Sequence, residues 1–109
     1  MDDWKTWDAL SLDERDNLPP QSGIYIVVDD KDNVWYVGQA TNLNNRWLGH
    51  SHHRFLQLRR SNTNRHYRIH WCFYPTEELD RVEKSFIQHY RPLLNNSEVK
   101  TYSLGKPQL

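Results

Sequence analysis

At 109 residues the chain has room for one domain with a single small core and none for a second. Fourteen basic residues cancel fourteen acidic ones, so net charge by itself points to no partner. No apolar run approaches the roughly 20 residues that span a bilayer, and the opening Met1-Asp2-Asp3-Trp4-Lys5 is too acidic for a signal peptide, so a cytoplasmic protein without a membrane segment is expected.

The charge is unevenly spread. Residues 1–32 carry nine acids against Lys5, Arg15 and Lys31, whereas residues 33–109 carry eleven Lys or Arg against five acids. An acidic leader over residues 1–17, held by Trp4, Trp7, Leu10 and Leu12, is therefore expected to precede a more basic domain over residues 18–96. Within the leader, Ser11 to Glu14 has the Ser-x-x-Glu spacing of a capping box and predicts a short turn of helix before Pro19-Pro20.

Gly23 to Val28 and Asn33 to Val37 are β-branched or aromatic runs, and Asp29-Asp30-Lys31-Asp32 between them reads as a hairpin loop. A four-residue loop sets Val28 opposite Asn33 and Tyr25 opposite Tyr36. One face then carries Gly23, Tyr25, Val27, Val34, Tyr36 and Gly38, and the other Ile24, Ile26, Val28, Trp35 and Val37. Thr41 or Asn42 caps a helix from about Leu43, and Gly49, about 1 kcal/mol worse than Ala in a helix, predicts a break near His50. A second helical piece spans Arg54 to Arg60, Ser61-Asn62-Thr63-Asn64 reads as a loop, and Tyr67 to Tyr74 as a third strand. Cys72, the sole cysteine, excludes an internal disulfide framework and reads as a buried small side chain. A last helix starts at Pro75-Thr76-Glu77-Glu78 and stops by Arg91, because Pro92 disfavours helical geometry before it. Residues 97–109 read as a tail. The expected fold is α+β, a small three-stranded antiparallel sheet flanked by helices.

Three features carry chemistry. In the last helix Leu79, Val82, Phe86, Ile87 and Tyr90 form an apolar stripe, and Glu83 falls inside it. A carboxylate there needs compensation, either by an Arg at the stripe's edge or by a metal. Arg46 and His50 are one helical turn apart and project from one face; an Arg fork suits phosphate oxygens, and a His passes protons near neutral pH. Arg54, Arg59, Arg60, Arg65 and Arg68, interleaved with histidines, read as a phosphate-tracking surface or as a solvated basic face. The histidines lack the regular ligand pairs of a structural zinc site.

These residues also carry a family resemblance. Leu18-Pro19-Pro20-Gln21-Ser22-Gly23-Ile24-Tyr25 resembles the lead-in and first motif of the GIY-YIG nucleases, and Tyr36-Val37-Gly38 the second. Asn42-Leu43-Asn44-Asn45-Arg46-Trp47 with His50 is similar to that family's Arg helix, and Glu83 through Pro92 to Asn95 to its Glu helix and closing Pro-x-x-Asn. Gln39, after Tyr-Val-Gly, departs from the Lys found in some branches.

The resemblance implies a metal-dependent endonuclease that hydrolyses DNA phosphodiester bonds, RNA remaining open. Glu83 is the implied ligand of one Mg²⁺ or Mn²⁺, Arg46 the implied phosphate contact and Tyr25 the general base. Tyr36 orients the water or phosphate, His50 takes the proton of Tyr25, and Asn95 braces the site. A partner protein or a homodimer would supply targeting. Two other readings use the same fold, a silent nucleic-acid-binding module and a protein-binding adaptor.

Overall fold

The computed structural model describes residues 3–95; the expected tail over residues 97–109 lies outside them. Four strands form one antiparallel sheet in the order β1-β4-β2-β3, with β1 at Asp8–Ser11, β2 at Gly23–Val28, β3 at Val34–Ala40 and β4 at Arg68–Phe73. The α+β class and the antiparallel sheet are as expected, with one strand more. That strand comes from the leader. Asp8 to Ser11 alternate too little to read as a strand alone, but pair with Trp71 to Arg68 along the free edge of β4. Trp4 is buried to 3% exposure, edge-on to His70, and Trp7 meets Phe86 edge to face.

Ser11 then leads into a 3-10 turn over Leu12–Asn17, not an α-helix. Its hydroxyl donates to the Glu14 carboxylate at 3.1 Å instead of capping a backbone N–H. The turn grips the far end of the molecule: Arg15 Nε donates to the Gly49 carbonyl at 2.7 Å, and Asp16 accepts from the Gly49 N–H at 3.0 Å.

The hairpin joins β2 to β3 with a shifted register. Tyr25 pairs with Gly38, Val27 with Tyr36 and Val28 with Val34, so Trp35 is an extra residue on β3. Such a bulge reverses the facing of everything beyond it. Tyr25 and Tyr36 still share a face, but Val34 and Trp35 exchange sides. The cause is Asp29, which is 2% exposed and nucleates the turn. Its carboxylate accepts from Lys31 N–H and Asn33 N–H at 2.9 Å each, and from Asn33 Nδ2 and Trp35 Nε1 at 3.0 Å each. The Trp35 indole must lie on that side to reach it, where Tyr67 packs edge-on and the Arg65 guanidinium stacks on it at 4.5 Å.

Both sheet faces are covered. On one lie α1, Leu43–Trp47, and α2, Phe55–Arg65, around Tyr25, Val27, Trp47 and Leu58; on the other α3, Leu79–Tyr90, covers Ile24, Ile26, Val28 and Val37. Asn42 caps α1 by accepting from Asn45 N–H at 3.0 Å. The helix ends at Trp47, and Gly49 at φ 58° turns the chain away. α2 runs straight through the expected loop at 61–64, because those polar residues fasten it to Tyr67, the residue before β4. Ser61 Oγ lies 2.7 Å from the Tyr67 hydroxyl, and Asn62 Oδ1 accepts from Tyr67 N–H at 2.9 Å. His66 stops the helix in the left-handed region at φ 53°.

Candidate active site

Gly38 explains how a large phenol fits at the centre of the sheet. A Cβ there would overlap the ring and hydroxyl of Tyr25, which pairs with it across β2 and β3. Glycine thus leaves a slot that Tyr25 fills with 0% exposure. Tyr36, two residues before Gly38, stacks alongside with ring centres 6.1 Å apart and is 9% exposed.

The Tyr25 hydroxyl lies 2.7 Å from His52 Nε2 and accepts a long contact from Arg46 Nε at 3.5 Å. His52 is buried between the flat face of Trp47, 4.0 Å away and 9° from parallel, and His53 at 4.6 Å. His53 in turn lies 3.4 Å from the Tyr36 hydroxyl through Nε2, and its Nδ1 accepts from Arg46 Nη2 at 3.1 Å. Two tyrosines, two histidines and one arginine therefore form a single polar cluster.

Its electrostatics follow from burial. Desolvation raises the Tyr25 pKa well above the ordinary tyrosine value, helped by the neighbouring Tyr36 and the charge of Glu83, against the lowering effect of Arg46. Tyr36 moves up for the same leading reason, Arg46 again opposing and Glu83 adding. Burial and then the Arg46 charge push His52 down to about 2, so its ring is neutral across the neutral range.

Glu83 stands half-buried on α3 and faces the edge strand β3. Its partner is the neutral amide of Gln39 and not an arginine: Gln39 Nε2 donates to Glu83 Oε1 at 2.9 Å and to Asp80 Oδ1 at 2.6 Å. Two carboxylates thus converge on one nitrogen. Asn95 reaches the same strand from its outer side. Its Oδ1 accepts from the Val37 N–H and its Nδ2 donates to the Val37 carbonyl, both at 2.8 Å.

The structure brings Tyr25, Tyr36 and Arg46 together, with Glu83 close enough to act on both tyrosines by charge. His50 is not among them. Because α1 ends at Trp47, the expected one-turn relation to Arg46 is lost, and the His50 ring stacks on Phe55 at 4.7 Å on the exposed side. His52 and His53 hold the places beside the two hydroxyls. Sequence reasoning missed them because they follow a helix break, where no periodic spacing applies; the adjacent His-His pair was the only signal.

The expected arginine surface is divided as well. Arg54 is 1% exposed and donates to Gln57 Oε1 at 2.9 Å, so it belongs to the interior. Arg65 is engaged by Trp35 and Asp29, and Arg68 pairs with Asp32 at 2.7 Å. Arg59 and Arg60 remain exposed on α2.

A buried tyrosine pair over a glycine, an arginine on the following helix and a carboxylate on the last helix define a GIY-YIG-type catalytic domain. The family model of the GIY-YIG catalytic domain matches residues 21–98, and the chain belongs to that family. Among solved structures it is similar to the GIY-YIG N-terminal endonuclease domain of UvrC from Thermotoga maritima bound to its catalytic divalent cation, magnesium. That likeness has 21% identity, covers 75% of this chain and 92% of that one, and has a TM-score of 0.60. Two point mutants of the same domain, each bound to its catalytic divalent cation, match at 22% and 21% identity. Both cover 75% of this chain and 91% of theirs, with TM-scores of 0.59. No curated protein matches.

Proposed function

We propose that this chain is a divalent-cation-dependent endonuclease that hydrolyses DNA phosphodiester bonds by in-line attack of water. The observation that carries this reading is the placement of Tyr25, Tyr36 and Arg46 in one hydrogen-bonded cluster on β2, β3 and α1, within the electrostatic reach of Glu83.

The residues fit a hard cation. Among the described residues no group of three or more His, Cys, Asp or Glu side chains could hold a metal, which disfavours a closed zinc-type site. Mg²⁺ and Mn²⁺ need fewer protein ligands, since one or two carboxylates with water and substrate phosphate suffice. Glu83 supplies one, and Asp80, sharing the Gln39 amide, stands beside it. The bound cation would stabilise charge on the phosphate and the leaving 3′ oxygen.

Arg46 carries a fixed positive charge at the tyrosine hydroxyls and neutralises the phosphoryl group during attack. Tyr25, as tyrosinate, takes one proton from the attacking water; the water oxygen bonds to phosphorus, the bond from phosphorus to the 3′ oxygen breaks, and solvent protonates the leaving oxygen. Tyr25 then returns its proton to solvent. Ionising even an ordinary tyrosine at pH 7 costs about 4 kcal/mol, and burial adds to that, so donors to the phenol oxygen matter. Tyr36 orients the water or phosphate, and Asn95 holds its strand in place through Val37.

Arg59 and Arg60 on α2 contact the nucleic-acid backbone, with Arg65 and Arg68 at the margin. With no net charge to supply strong non-specific affinity, binding by the chain is weak and salt-sensitive, and a partner, a homodimer or DNA shape supplies targeting. The test is incubation with supercoiled, branched and single-stranded DNA and with RNA, in Mg²⁺, Mn²⁺ or chelator. Chelator-sensitive DNA cleavage that disappears in Glu83→Gln, with an unchanged melting temperature, is the expected result. Full activity of that variant removes the metal assignment, and binding without cleavage by the wild type leaves a silent nucleic-acid module.

A further inference from the structure

The proton on His52 can be located from its two hydrogen bonds. The backbone N–H of Arg54 donates to His52 Nδ1 at 3.0 Å. An amide nitrogen only donates, so Nδ1 presents its lone pair and the ring's single proton sits on Nε2. Nε2 is the atom that faces the Tyr25 oxygen at 2.7 Å. We propose, on the basis of the nuclease reading above, that His52 is a positioning residue that donates its Nε2–H to the Tyr25 oxygen and does not take the proton of Tyr25.

The surroundings enforce that direction. Trp47 stacked on one face and His53 on the other hold the ring plane, and burial keeps the ring neutral. Arg46 Nε donates to the same phenol oxygen from 3.5 Å. With both donors on it, the oxygen turns its own O–H elsewhere, and the form they favour is the tyrosinate. His53 repeats the polarity: Arg46 Nη2–H donates to its Nδ1, so the neutral ring offers Nε2–H toward Tyr36. The family's work of activating a tyrosine is done here by hydrogen-bond donation, with a histidine six residues after Arg46 instead of the expected His50.

Long-range ¹H–¹⁵N correlation spectra of the full chain labelled at histidine read the tautomer without substrate. The expected His52 has a protonated Nε2 and an unprotonated Nδ1, its signals identified by their loss in His52→Gln. A protonated Nδ1 overturns the proposal. Cleavage by two variants gives a second arm, because a Gln amide reaches the Nε2 position and an Asn amide reaches only the Nδ1 position. Donation to Tyr25 requires His52→Gln to stay within about tenfold of wild-type kcat. His52→Asn should fall by roughly 10²–10³, the usual cost of losing one donor at a developing charge, with its pH profile displaced to higher pH. A residue that merely holds the Arg54 amide gives the opposite order, which also overturns the proposal. If the wild type cleaves no substrate, the nuclease reading falls, and the spectra still decide the tautomer.

Discussion

Replacing Asp29 by Asn should destabilise the protein strongly although only one atom changes. Each carboxylate oxygen accepts at least two N–H donors: Oδ1 those of Lys31 and Asn33, and Oδ2 those of the Asn33 amide and the Trp35 indole. An amide must turn its NH₂ toward one of these pairs, so at least two charge-assisted bonds are lost whichever way it sits. Each such bond is worth about 1.5–3 kcal/mol, which gives a loss on the order of 3–4 kcal/mol once partial relaxation is allowed. For a domain of this size that lowers Tm by roughly 15–25 °C. The charge also has a pH signature. Burial would raise the Asp29 pKa, but the bonds from Trp35, Asn33 and Lys31 lower it from 3.8 to about 2. A depressed pKa stabilises the fold above the unfolded value near 4, and that contribution vanishes as pH falls through about 2. It amounts to roughly 2.4 kcal/mol from the proton affinities alone and on the order of 1–2 kcal/mol after solvent screening. Circular dichroism melts of wild type and Asp29→Asn should therefore differ most at neutral pH and converge toward pH 2. A Tm within 3 °C of wild type at pH 7, or a gap that does not narrow in acid, would refute the reasoning.

Gly38→Ala should cost about 1–3 kcal/mol, since the new methyl must displace the buried Tyr25 ring, and it should depress cleavage more than stability; a melt and a rate on one preparation check both. Tyr25→Phe should lose roughly 10²–10⁴-fold in rate and Tyr36→Phe less, measured at saturating cation; the reverse order would exchange their roles. His50→Ala should stay within about twofold of wild-type rate, because that ring packs on Phe55 at the surface; a loss of roughly 10²-fold or more would return His50 to the site.

How much of this was legible in the sequence varies with the range of the interactions. The facing of Tyr25 and Tyr36 was readable because strand alternation is local, and it survived a register error since the slip was two residues. Trp35 was placed on the wrong face, because the bulge depends on an indole bond to Asp29 that no alternation rule contains. α2 was cut short for a similar reason: Ser61 and Asn62 look like loop residues until Tyr67 is found beside them. β1 is weakly apolar and forms only because β4 offers it an edge. At the candidate site, Tyr25, Tyr36, Arg46 and Glu83 lie inside regular elements, where period and motif single them out. His52 and His53, set by the turn at Gly49, do not.

A sheet ends in two edges, and unpaired edges invite other strands to add to them. Here β3, the strand that carries Tyr36, is one such edge, and Asn95 lays its amide against both backbone groups of Val37 like a one-residue substitute strand. The plug closes the middle of β3 to a neighbouring copy. Among the described residues, a strand adding to the middle of β3 would first have to displace Asn95 from Val37.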